Sequence, residues 1–169
     1  MVEDFRDGGG YLDKVVYDGI HRSLSSSGRF DEAEAVVNVM RKAGFVPDNI
    51  TYSQLVYGLC KAGRLDEGCT ILEKMKGLGC IPDLKTWTIL IDGHCRAGKV
   101  DKALSCFRQM LEDGCQADYE VLAILVSAFC NQNRVDNAYS FLCQMIEEKS
   151  VKPSQATLKE LIKKLHNSI

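Results

Sequence analysis

The sequence predicts an all-α fold, an α-solenoid of tandem helix-turn-helix repeats each 35 residues long. Three observations carry this. Met40, Met75, Met110 and Met145 stand 35 residues apart, and so do Asp31, Asp66, Asp101 and Asp136. Gly28, Gly63 and Gly98 keep the same interval, with Asn133 at the fourth place. Between these markers the apolar residues recur at helical spacing in two runs per period. A period of about 20–50 residues defines a stacked architecture in which no single unit buries its own apolar face. Function therefore belongs to the surface that the stack presents.

The elements follow in order. Residues 1–13 are acidic and broken by Gly8-Gly9-Gly10, and we read them as the remnant of an upstream repeat in a longer array. Repeats are expected at 14–48, 49–83 and 84–118, a degenerate one at 119–154, and a half-repeat or capping helix at 155–169. The second shows the grammar best. Tyr52, Leu55, Val56, Leu59 and Cys60 form one stripe of a first helix. Gly63 ends it in a left-handed conformation. Asp66 and Glu67 then open a second helix, where carboxylates accept unpaired amides and complement the dipole. Its stripe is Leu65, Cys69, Leu72 and Met75, and Gly77, Gly79 and Pro82 close the repeat. Ala33, Gly68, Ala103 and Ala138 keep one site small where helices cross. Arg29, Arg64, Lys99 and Arg134 follow the turn and are expected to serve it structurally. Past Pro153 and Ser154, a cap, Leu158, Leu161, Ile162 and Leu165 give a last helix.

Composition excludes several classes. The formal charge is −2, so polyanion binding must rest on local placement of cations. No apolar run approaches the roughly 20 residues of a membrane span, and the first residues lack the pattern of a transit or signal peptide. Of the eight cysteines, Cys60, Cys95 and Cys130 keep the repeat period, as do Cys80 and Cys115. They are expected to be reduced, buried packing groups in a reducing compartment, since none has metal-ligand spacing with a histidine. His21, His94 and His166 read as ordinary helix residues, and Trp87 and the methionines as core. No cofactor, metal, small-molecule substrate or catalytic cluster is expected, so the chain is not read as an enzyme.

Residues 51–67 and 75–83, and the stretch from Thr86 to Gly98, resemble the pentatricopeptide repeat. The likeness covers about residues 14–165, and the constant spacing resembles the plain class of that family. It implies a right-handed superhelix that reads single-stranded RNA at about one base per repeat. The resemblance places base contacts on the residue after each repeat's aromatic and on its last residue. These are Asp18 and Asp48, Ser53 and Asp83, and Thr88 and Asp118. A hydroxyl followed by aspartate is the family's guanine-favouring pair. The fourth repeat offers Ala123 and Ser154. Val15 and Ile50 would pack against bases, where Lys85 and Glu120 stand in the next two repeats. Lys61 and Arg96 would meet phosphate. The same Ser, Thr and Asp side chains also suit plain helix capping, and Lys61 and Arg96 suit helix C-termini.

With about two phosphate cations, the salt slope would be only about −1.4 on single strands. The resemblance implies organelle RNA metabolism, in the mitochondrion or alternatively the chloroplast. A scaffold holding protein or ribosomal RNA, as in an organellar ribosome, or partnership with RNA-processing proteins, is the competing role.

Overall fold

The computed structural model describes residues 12–147 together with 159, 162, 163 and 165. Most of the upstream remnant, Pro153, Ser154, Leu158, Leu161 and His166 lie outside the described residues; Lys159, Ile162, Lys163 and Leu165 are helical. Among the described residues there are eight further helices and no strand. They are α1 (Lys14–Ser26), α2 (Phe30–Lys42), α3 (Asn49–Lys61), α4 (Leu65–Gly77), α5 (Leu84–Arg96), α6 (Val100–Glu112), α7 (Tyr119–Asn131) and α8 (Val135–Glu147). None is long and apolar enough to cross a membrane.

The chain divides into two compact halves between Pro82 and Asp83. In the first, α1 packs on α2 and on α3, and α3 on α4. In the second, α5 packs on α6 and on α7, and α7 on α8. Within each half the leading helices of successive hairpins therefore lie against one another. Burying alternate stripes explains why: Tyr52, Leu55, Val56 and Leu59 are all at most 3% exposed. The methionine column is core throughout, and Trp87 is fully buried. Ala33, Ala103 and Ala138 have no exposed surface, as the close helix crossing requires.

Local chemistry sets the helix ends. Asp13, Asp48, Asp83 and Asp118 cap α1, α3, α5 and α7, each accepting from the amide three residues on. Gly63 (φ 77°) ends α3, with Arg64 N–H donating to the Leu59 carbonyl at 2.9 Å. That pattern satisfies carbonyls the helix would leave open. Asn133 holds the same backbone region at φ 56°.

Two expectations need correction. The second helices are not opened by a capping carboxylate: the N-cap of α4 is Arg64, which makes no side-chain cap bond, and Asp66 and Glu67 sit inside the first turn. The carboxylate there instead binds the arginine, Glu67 Oε1 accepting from Arg64 Nε at 2.7 Å. Arg64 also reaches Asp31 of the preceding hairpin at 3.6 Å and lies 5.2 Å over the Phe30 ring. Arg134 likewise reaches Asp101 of the preceding hairpin at 3.1 Å, and lies 5.2 Å over Phe129 of its own hairpin. These arginines staple one turn to the next.

His21 and His94 are helix residues, and at 1% and 0% exposed they belong to the core. Burial pushes the His21 pKa down, against the pull of Gln54 and Asp18. All eight cysteines are thiols, but only Cys106 is fully buried and the rest are half-buried. Burial, helped by Asp92, pushes the Cys95 thiol up to about 12, which leaves it unreactive. The Cys80 thiol donates to the Pro47 carbonyl at 3.4 Å.

Candidate nucleic-acid interface

The residues singled out for base contact cluster at the N-terminal ends of the leading helices, where caps fix them. In the third repeat, Asp118 Oδ1 accepts from Val121 N–H at 3.0 Å, which orients the carboxylate and leaves Oδ2 without a hydrogen bond among the described residues. Thr88 donates its hydroxyl proton to the Leu84 carbonyl at 2.7 Å. Back-bonding of this kind consumes the donor and leaves the oxygen as an acceptor. The Ser53 hydroxyl also donates, to the Asn49 carbonyl at 2.5 Å. Asp83 Oδ1 accepts from Thr86 N–H at 2.9 Å and from the Thr86 hydroxyl at 2.7 Å. Hydroxyl and carboxylate thus both present acceptors, so capping and base contact are compatible uses of one side chain.

The first repeat is different. Asp18 and Asp48 are brought together, but around Lys14, whose ammonium donates to an oxygen of each at 2.8 Å. The Thr51 hydroxyl reaches the remaining oxygens at 3.3 and 3.1 Å. Burial pushes the Asp48 pKa up, but Lys14 and Thr51 outweigh it and hold the carboxyl below its ordinary value. Nothing in local sequence spacing announces the Lys14–Asp48 contact.

The flanking positions also separate. Val15 and Ile50 are 75% and 64% exposed, open apolar surface at the place where a base would pack. Lys85 and Glu120 are exposed at the corresponding sites. Lys61 is exposed in the last turn of α3. Arg96 is exposed as well, but pairs with Asp92 at 2.8 Å, so an internal carboxylate competes for its charge. Beside it, an open groove of about 410 Å³ between α5 and α7 is lined by Asp92, Arg96, Glu120, Ala123 and Asn131 among others. Ala123 supplies no hydrogen bond there.

Helical hairpins with a recurring aspartate cap and polar side chains on the leading helices define a helical-repeat protein. The chain belongs to the pentatricopeptide repeat family. Two family models, both described as PPR repeat, match residues 43–76 and 78–111 and residues 15–45 and 123–150, together most of the chain. A chloroplastic pentatricopeptide repeat-containing protein of Arabidopsis thaliana is 67% identical over 36 residues, which is 21% of this chain and 6% of that protein.

Among solved structures, maize PPR10 superposes with a TM-score of 0.78 at 22% identity, covering 98% of this chain and 25% of that one. PPR10 bound to an 18-nucleotide psaJ RNA element gives 0.65 over 96% of this chain and 24% of that one, again at 22% identity. The PPR domain of Arabidopsis thaliana protein-only RNase P 1, in complex with tRNA, gives 0.70 at 20% identity over 98% and 86%. At such identities the likeness to these structures is one of fold.

Proposed function

We propose that this chain binds single-stranded RNA at about one base per repeat, as a module of organelle RNA metabolism, and that its second and third repeats favour guanine. The observation that supports this most is the acceptor pair of Thr88 and Asp118. Guanine is the base with two adjacent donors, N1–H and N2–H, on its Watson–Crick edge. A site offering two acceptors and no donor therefore fits guanine and leaves an unpaired group against any other base. Ser53 and Asp83 place a hydroxyl and a carboxylate at the same two positions of the second repeat. Val15 and Ile50 supply apolar surface against bases, while Lys61 and Arg96 supply the phosphate contacts. The maize and Arabidopsis structures bound to RNA and tRNA lend support from the same fold.

Two partly effective cations give little non-specific attraction, so affinity rests on the base sites and on whatever further repeats act with them. The role is binding, with no reaction assigned to these repeats. The chloroplastic relative tilts the compartment toward the plastid over the mitochondrion. Glu120 and Ala123 favour the competing role, a scaffold in an organellar assembly that holds its partners without reading sequence. A fluorescence-anisotropy titration with guanine-containing and guanine-free oligonucleotides of equal length decides between them. Tighter binding to the guanine set supports reading, and equal or absent binding to both supports the scaffold.

A further inference from the structure

We propose that Lys14 sets the specificity of the first repeat: its ammonium fills the acceptor pair formed by Asp18 and Asp48 and presents an N–H donor in its place, so this repeat rejects guanine and favours uracil. The inference rests on the reading proposed above. Asp18 and Asp48 occupy the places that Thr88 and Asp118 hold in the third repeat. By sequence alone they are two acidic acceptors, which would suit a donor-rich edge. The structure removes that option.

Each of the four carboxylate oxygens is already engaged. Oδ2 of Asp18 and Oδ2 of Asp48 take the ammonium, both at 2.8 Å, and the two Oδ1 atoms take Thr51. An ammonium carries three protons and two are used here. Lys14 is about one-third exposed, so its third proton is open to the solvent side. A donor there is matched by a carbonyl. Uracil has two carbonyls and one donor on its Watson–Crick edge, whereas guanine has one carbonyl and two donors that this repeat leaves unpaired. The third repeat lacks the device, because Leu84 stands where Lys14 does and Val121 stands where Thr51 does. The ammonium also cancels charge that would otherwise repel the phosphates. Its raised pKa, from the bonds to Asp18 and then Asp48, keeps it charged through the neutral range.

The test uses the whole chain and oligonucleotides carrying guanine or uracil opposite repeat one, with guanine fixed opposite repeats two and three. Wild type should favour uracil at the variable position. Lys14→Met should expose two carboxylate oxygens and invert the ranking toward guanine by about tenfold, and Lys14→Arg should keep the wild-type order. Lys14 is the first residue of α1, where a side chain makes no helix bond, and Lys14→Ala serves as a second neutral variant. Guanine preference in wild type at that position, or an unchanged ranking in both neutral variants, overturns the assignment. A parallel oligonucleotide set varied opposite repeats two and three is the separate arm, and absence of guanine preference there in every protein overturns the underlying reading.

Discussion

Asp118→Asn separates capping from base reading. Asp118 Oδ1 accepts from Val121 N–H at 3.0 Å while Oδ2 faces away from that bond. Asparagine caps as well as aspartate, so the variant should unfold at the wild-type denaturant midpoint; Asp118→Ala loses the cap and about 1 kcal/mol. Binding should respond differently. The amide replaces the outward acceptor by a donor, which meets the guanine N–H groups head on and costs about 1–3 kcal/mol of discrimination, or roughly 5- to 150-fold. An acceptor on Thr88 beside a donor on Asn matches adenine, which offers N6–H and accepts at N1. The preferred base opposite repeat three should change from guanine to adenine. The substitution also deletes a negative charge, which raises affinity for every oligonucleotide alike. That gain cancels in the guanine-to-adenine ratio, so the ratio is the quantity to measure, by anisotropy with uracil-rich octamers that differ at one nucleotide. An unchanged ratio together with a destabilised Asp118→Ala would show that Asp118 caps α7 and does nothing else.

Thr88→Asn places an amide donor beside the Asp118 acceptor, so preference at that nucleotide should move from guanine to uracil in the same titrations; no movement argues for the scaffold. Gly58→Ala should destabilise by about 1–2 kcal/mol in chemical unfolding, because a Cβ there would sit 2.6 Å from a Phe30 ring carbon and 3.1 Å from the Ser25 carbonyl. Gly19→Ala, in the helix one hairpin earlier with open space around it, should stabilise by up to about 1 kcal/mol, and equal signs for the two would refute the packing argument. His21 gives a pH dependence. Its folded pKa lies below the ordinary 6.5, so its contribution is intact above that value. As pH falls below 6.5 the unfolded chain takes up a proton that the buried ring resists, and stability declines. His21→Val, matching Val56 and Val126 in the same column, should flatten unfolding midpoints between about pH 7 and 5; a flat wild-type profile over that range would rule the histidine out.

Much of this was legible in the sequence because a repeat prints its own controls. A stripe seen once at Tyr52, Leu55, Val56 and Leu59 could be chance, but the same stripe 35 residues later could not. The burial of Met40, Met75, Met110 and Met145 and the left-handed turn at Asn133 followed from column membership alone. Val15 and Ile50 follow instead from the family resemblance, which singles out the residue two before each aromatic, and both are exposed. What escaped was contact between columns. Lys14 and Asp48 are 34 residues apart and meet only because α1 packs on α3. His21 looked ordinary because its own chemistry is polar, yet its column is apolar in the other repeats, and that signal was present in the sequence. Asp66 and Glu67 resemble caps in the sequence because acidic residues complement a helix start, but the turn delivers Arg64 to the cap position and leaves the acids inside the first turn.

The aspartate that ends one repeat caps the next helix, and on the proposed reading this double duty would link stability to specificity. One carboxylate oxygen is spent on the amide of the leading helix, so the other is held in a direction the helix itself sets. A reader fixed this way pays little side-chain entropy on binding, which matters when each base contributes only about 1–3 kcal/mol. The hydroxyls of Ser53 and Thr88 are fixed by the same economy, since donation to the carbonyl four residues back orients the oxygen before any base arrives. Preorganisation of this sort also makes the site easy to rewrite from a neighbour. On the proposal above, Lys14 would change the first repeat by reaching Oδ2 of Asp18 and the Oδ2 that capping leaves over on Asp48. If the proposal holds, specificity in such a chain is not a property of two positions per repeat alone but depends also on whether the residue opening each leading helix can reach them.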